Sequence, residues 1–234
     1  MKLLLLSSSR AANSAYLAPN LALIGQHLAG VKKVLFIPYA AVSISYDAYQ
    51  QMVQQAFDAI GIEVDSIHLH QNPRLAVAQA EAIVVGGGNT FVLLHQLYQE
   101  GLMNEIRAQV ANNVPYLGWS AGSNIAGLSI RTTNDMPIVE PESFTALNLL
   151  PCQLNPHYSD YKPEGFHGET RDMRLNEFML LNPDTPIVAL PEGTALLRQA
   201  DELSYQGNVD GYLFIGGSKT AILPGAELSA FLQL

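Results

Sequence analysis

A chain of 234 residues that is 48% apolar and only 14% charged carries enough apolar material for a full core, which excludes a disordered chain. Twelve basic against twenty-one acidic residues leave a net charge of −9, which argues against a nucleic-acid or anionic-membrane surface. An anionic substrate on such a chain needs a local cation working against the overall field.

Leu3 to Ser7 is a continuous apolar run of strand length ending in small polar residues, the pattern of a strand buried on both faces. Tyr16, Leu17, Leu21, Ile24 and Leu28 then fall near a helical period, with Gly30 where a C-cap belongs. Val34 to Ile37 is a second buried strand, stopped by Pro38. Tyr46, Tyr49, Val53, Ala56, Phe57 and Ile60 share one helical face, and Gly61 ends that helix. Ile62 to Leu69 alternates and predicts a third strand, residues 73–80 a short helix, and Ala82 to Val85 a fourth strand running into Gly86-Gly87-Gly88-Asn89-Thr90. One helix follows with Phe91, Leu94 and Leu97, and another with Leu102, Ile106 and Val110. Pro115 to Trp119 is the fifth strand, and Ala121 to Leu128 is small and apolar enough to pack as a helix.

Past Leu128 the pattern becomes irregular. Arg131 to Glu142 is polar and holds two prolines, Leu149 to Leu154 is β-like, Thr170 to Leu181 is helical and Ile187 to Leu190 is a strand. Thr194 to Tyr205 and Gly211 to Ile215 predict antiparallel ribbons at a sheet edge. The reading is α/β: a mostly parallel sheet with helices on both faces, a small antiparallel C-terminal edge, and a single domain over residues 1–234. The lone Cys152 makes no internal disulfide and fits a reducing compartment. The apolar run after Met1 is too short for a signal sequence, and no stretch approaches the roughly 20 apolar residues of a membrane span. The expected location is the cytoplasm.

In an open parallel sheet, ligands bind at the carboxyl ends of the strands. Two Gly-rich corners lie there: Gly86 to Gly88 after the fourth strand, and Gly118-Trp119-Ser120-Ala121-Gly122 after the fifth. A serine on a strand-to-helix corner has its hydroxyl pushed out of the sheet, which is the nucleophile-elbow pattern. Unobstructed N–H groups at Gly87 or Gly88, with that of Ala121, suit an oxyanion hole. The competing readings of the glycine run are a tight turn capped by Asn89, or a phosphate cradle, although the lysine that completes such a cradle is missing.

Among the six histidines, His27 and His95 sit inside helical patterns as surface or boundary residues. His68 and His70 share a strand face but have no companion ligands for a metal, so no metal and no cofactor are implied. His157, in Asn155-Pro156-His157-Tyr158, lies where a strand emerges into a loop and is the preferred base, with His167 in reserve. A base needs an orienting carboxylate. Asp135 in the irregular segment and Glu192 after the strand at Leu190 both qualify, and each is also an ordinary turn residue.

Six stretches together resemble the peptidase E family, α-aspartyl dipeptidases within the serine peptidases that also hold cyanophycinase. They are residues 85–91 (VGGGNTF), 118–122 (GWSAG), 130–139 (IRTTNDMPIV), 155–158 (NPHY), the run from Pro163 to Arg171, and 190–193 (LPEG). They spread across most of the chain in the family's order. The resemblance implies a sheet like that of flavodoxin or the class I glutamine amidotransferases, and hydrolysis of dipeptides with an amino-terminal aspartate, Asp-Xaa. It implies Ser120 as nucleophile, His157 as general base, Gly88 in the oxyanion hole, and either Asp135 or Glu192 as third member. Discrimination for aspartate calls for an arginine, whose fork matches a carboxylate. Of the seven arginines, Arg171 is favoured and Arg131 is the alternative. The carboxylate that does not orient His157 is the candidate for the substrate amine. Residues 159–168 suit a lid. The expected partner is a small dipeptide, bound by a monomer or homodimer. A β-aspartyl peptidase or esterase on the same elbow is the nearest alternative, and a non-catalytic phosphate- or nucleotide-binding module is the alternative of a different class.

Overall fold

The computed structural model describes residues 1–165 and 167–233. The first strand, β1 (Lys2–Leu6), shows how the frame arises: Leu3 to Leu6 have no solvent exposure at all. Leu3 and Leu5 enter one apolar cluster, and Leu4 and Leu6 enter another on the opposite face. Burying a leucine is worth roughly 1.5–3 kcal/mol, so four in succession commit this segment to the centre of a sheet.

That sheet has seven strands. Five are parallel, in the order β3 (Glu63–Ser66), β2 (Lys33–Ile37), β4 (Ile83–Val85), β5 (Tyr116–Trp119), β1. The antiparallel strands β8 (Ala195–Gln199) and β9 (Glu202–Gln206) extend it beyond β1. One face is covered by α1 (Leu21–His27) and α2 (Tyr46–Phe57), through Ile24, Val53 and Phe57. The other is covered by α3 (Pro73–Ala78), α4 (Thr90–Gln99) and α5 (Met103–Ala111), through Val77, Leu94 and Ile106. Side-chain caps from Ser45, Asn72 and Asn89 start α2, α3 and α4.

A second sheet of four strands has the order β11 (Ser218–Ile222), β10 (Gly211–Ile215), β7 (Ile187–Leu190), β6 (Gln153–Pro156). Strands β6 and β7 are parallel, and the β7–β10 and β10–β11 pairs are antiparallel. Val188 and Leu190 of β7 face the main core, whereas Ile187 and Ala189 pack against Leu175 and Met179 of α7 (Arg171–Leu181). The period of two along β7 therefore sets one sheet between the core and a helix.

Several expected elements differ. The strand predicted over 62–69 ends at Ser66 and passes into a short 3-10 turn. The β-like segment near 149–154 forms its strand at Gln153–Pro156, where it pairs with β7. The helix over 121–128 closes only as α6 (Ala121–Asn124), because the chain then turns to bond Leu128 N to Cys152 O. The helical period at Tyr16 and Leu17 does not continue into α1; Leu17 has φ 58° and only a 3-10 turn intervenes. Of the C-terminal ribbons, only β8 and β9 lie at the edge of the main sheet.

His27 is a correction. It is buried in α1, with Nε2 bonded to Tyr116 O at 3.0 Å, and burial pulls its imidazole down to about 4. Burial pushes the Cys152 thiol up to about 12, which makes it inert. No helix among the described residues is long and apolar enough to cross a membrane.

Candidate active site

Strands β4 and β5 pair in parallel, with Val85 opposite Gly118, so the two glycine-rich corners emerge side by side. The glycines of the serine corner follow from backbone contact. A Cβ on Gly118 would stand 2.4 Å from Gly122 O, and one on Gly122 would stand 2.1 Å from Val85 O. Any side chain at either position would force β5, α6 and β4 apart.

Ser120 takes φ 53° and ψ −114°, a conformation that costs a non-glycine residue on the order of 1–3 kcal/mol. The surroundings fix it. Ser120 N donates to Leu6 O, Ser120 O accepts from Ser123 N and Asn124 N, and Ser123 Oγ donates to Leu6 O and Gly118 O. The strain exposes Oγ at the carboxyl end of the sheet.

His157 approaches from the second sheet. It follows β6 directly, also with positive φ, 54°, and its backbone N donates to Ser7 Oγ at 3.0 Å. Ser7 Oγ in turn donates to Leu190 O at 2.7 Å, so the last residue of the sequence's first strand ties β6 and β7 to β1. His157 Nε2 lies 2.9 Å from Ser120 Oγ, and Nδ1 lies 2.9 Å from Glu192 Oε1. A carboxylate accepts only, so Nδ1 carries the proton and Nε2 is left with its lone pair toward the serine hydroxyl. Gly193 N donates to Ser8 Oγ and holds the Glu192 turn. A serine, an imidazole and a carboxylate in this line can move a proton off the hydroxyl.

Asp135 points elsewhere. Its Oδ2 accepts from Thr90 N at 2.7 Å and from Thr90 Oγ1 at 2.5 Å, in the first turn of α4, where the helix dipole favours an anion. It nevertheless lines the cleft beside Ser120. That cleft, about 190 Å³, is bordered by Thr90, Asn134, Asp135, His157 and Arg171. Arg171 is half-buried and has no ion pair among the described residues; Nη1 donates to Asn155 Oδ1 at 3.3 Å. Burial pulls its pKa down and Arg174 adds to this, while Tyr158 and Asp135 oppose it. A cation in the first turn of α7 also sits against the helix dipole, so an anion in the cleft would complement it. Asn155 is buried and donates to Thr132 O and Asn134 Oδ1, which holds Arg171 and Asn134 together.

The donors flanking Ser120 are backbone groups. Neither the Gly88 nor the Ala121 N–H has an acceptor in the protein among the described residues. Gly88 has φ 138°, and a Cβ there would stand 2.1 Å from Ala40 O. Tyr49 Oη accepts from Trp119 Nε1 and Tyr16 Oη and donates to Gly87 O at 3.0 Å. All peptides are trans, so this bond turns the Gly88 N–H away from Tyr49.

The remaining expected residues fall outside this cleft. Arg131 lines a neighbouring groove with its guanidinium over Phe144. His167 is exposed and lines neither the cleft nor that groove. The lid expected over 159–168 includes Phe166, which lies outside the described residues. His68 is held by Ser66 and Asp47, and His70 by Asp65; among the described residues no three His, Cys, Asp or Glu side chains gather as a metal site. Sequence reasoning misses the supporting roles of Ser7, Ser8, Tyr49 and Asn155. Only the serine run at the carboxyl end of the first strand carried a signal, by its place in a parallel sheet.

Known proteins resemble this chain over most of its length. The model of peptidase family S51 matches residues 3–205. Peptidase E of Shewanella denitrificans is 55% identical over 230 residues, covering 98% of each chain. Peptidase E of a Shewanella species (strain ANA-3) is 52% identical over 231 residues, again covering 98% of each. The solved structure of a peptidase from an acI-B1 Actinobacterium shares the fold, with TM-score 0.70 and 19% identity over 97% of this chain and 96% of that one.

Proposed function

Since the chain belongs to peptidase family S51 and is a peptidase, we propose that it hydrolyses dipeptides with an amino-terminal aspartate through an acyl-enzyme on Ser120. The observation that carries this reading is a conjunction. The hydrogen-bonded line Ser120–His157–Glu192 opens on a small cleft that also holds Arg171, a guanidinium with no carboxylate partner among the described residues.

In the proposed sequence, His157 Nε2 takes the Ser120 proton as Oγ attacks the aspartyl carbonyl carbon. The oxyanion forms against the Gly88 and Ala121 N–H groups, and the Glu192 carboxylate stabilises the imidazolium. His157 returns the proton to the departing amine as the C–N bond breaks. Water, deprotonated by the same nitrogen, then attacks the ester, and Ser120 recovers its proton as aspartate leaves. Arg171 binds the side-chain carboxylate in bidentate fashion, and Asp135 receives the substrate ammonium.

A dipeptide panel varying the first residue, run beside Ser120→Ala, tests the reading. Asp-Leu should be cleaved, and Asn-Leu and Glu-Leu should not. Ser120→Ala should lose turnover while unfolding at an unchanged temperature. Near-normal turnover by the alanine protein would overturn the acyl-enzyme, and equal cleavage of Asn-Leu would overturn the aspartyl specificity.

A further inference from the structure

Ser120, His157 and Asp135 also border a second cleft, about 470 Å³, that Arg171 does not reach. Gly88 and Trp119 lie along it, and its walls are Tyr16, Val42, Ile44 and Met52. Val42 and Ile44 stand on the loop after β2 and are 61% and 38% exposed, large aliphatic side chains left open to water beside a polar centre. The loop residues that line it, Ala41 to Ile44, carry no charge, and the bordering carboxylate is that of Asp135.

We infer that this cleft receives the leaving half of the substrate and selects an apolar second residue. The inference rests on the Asp-Xaa reading above. With the aspartyl side chain held at Arg171, the acyl half fills the smaller cleft. The amine must depart within reach of His157 Nε2, and the concave surface continuous with both His157 and Gly88 is the one walled by Val42, Ile44, Tyr16 and Met52. An aliphatic or aromatic side chain there covers exposed apolar surface and gains from the hydrophobic effect. An acidic one is desolvated against apolar walls and faces Asp135 on a chain of net charge −9, with no arginine or lysine lining the cleft among the described residues.

The test is kcat/KM over Asp-Gly, Asp-Ala, Asp-Leu, Asp-Phe and Asp-Asp, measured on the wild-type protein and on Ile44→Asp. Asp-Leu and Asp-Phe should exceed Asp-Gly by about ten- to a hundredfold, with Asp-Asp the poorest. Ile44→Asp should reduce the Asp-Leu to Asp-Gly ratio by roughly tenfold, since it places a charge where an apolar side chain would pack. A flat wild-type profile, or an equal loss on Asp-Leu and Asp-Gly in the variant, would overturn the subsite while leaving the aspartyl reading intact. Cleavage of none of the five would remove the aspartyl reading and the subsite with it. The wild-type panel decides the matter even if the variant folds poorly.

Discussion

His157 Nδ1 and Glu192 Oε1 lie 2.9 Å apart, and this bond joins the carboxyl ends of two adjacent parallel strands, β6 and β7. Pro156 pairs with Leu190 in that register, so the residue after one and the second residue after the other necessarily emerge together. The carboxylate behind the imidazole is thus set by strand pairing, while Asp135 is engaged by the first turn of α4. Glu192→Gln should lower kcat for Asp-Leu by roughly a hundredfold with little change in KM, as expected when the charge that stabilises the imidazolium is lost and an amide NH2 competes to face Nδ1. Asp135→Asn should raise KM far more than it lowers kcat. Steady-state kinetics on the two variants separates the roles, and the reverse pattern would exchange them.

Arg171 is held by Asn155 and lacks an opposing carboxylate among the described residues, so its replacement should be read mainly in selectivity. Arg171→Met is expected to raise KM for Asp-Leu by about two orders of magnitude and to erase the preference over Asn-Leu, the magnitude of a lost charge-assisted pair. Retained preference in competition assays would move the specificity role elsewhere.

Tyr49 Oη donates to Gly87 O and so holds the peptide that carries the Gly88 N–H. Tyr49→Phe keeps the ring stacked edge-on against Phe36 but removes that donor. If the Gly88 N–H holds the oxyanion as proposed, kcat should fall about tenfold or more with KM nearly unchanged, since such a donor acts in the transition state. Affinity for a boronic-acid analogue of the tetrahedral intermediate should fall in parallel. A drop in thermal stability with normal kcat would assign Tyr49 a purely structural part.

Gly122 meets the Val85 carbonyl so closely that even a methyl group has no room. Gly122→Ala should destabilise the protein by about 4 kcal/mol or more, because backbone rather than a flexible side chain must give way. A melting temperature within about 2 °C of the wild type would show that the β4–α6 contact is softer than its geometry implies.

His27 is buried and neutral, its pKa pulled from 6.5 to about 4 chiefly by desolvation. The unfolded chain therefore binds the extra proton between these values, so stability from this site is full above about pH 6.5 and falls as pH drops toward 4. The loss amounts to about 3 kcal/mol at most. Urea unfolding from pH 7 to 4 should show a shallower decline for His27→Gln than for the wild type. Parallel slopes would mean the imidazole is not protonated on unfolding.

Much of the candidate site is local chemistry, and local chemistry is legible in a sequence. The apolar runs at Leu3, Val34 and Ile83 announce buried strands because only a doubly covered strand can hide both faces. The glycines around Ser120 announce a backbone corner because Gly118 and Gly122 touch within one turn of chain. His157 stands out because Asn155 to Tyr158 leaves a strand. The α/β class and the serine corner were therefore fixed by residue pattern alone.

The choices between like groups were made only in three dimensions. Nothing near Asp135 or Glu192 in the chain says which meets His157; the pairing of β6 with β7, and the Ser7 hydroxyl that bonds both His157 N and Leu190 O, bring Glu192 there. The burial of His27, the separation of Arg131 from the cleft and the hold of Tyr49 on Gly87 likewise depend on contacts between residues far apart in the chain. A sequence specifies which groups are present and their local backbone. Which of two carboxylates an imidazole meets is a long-range distance, and strand register decides it.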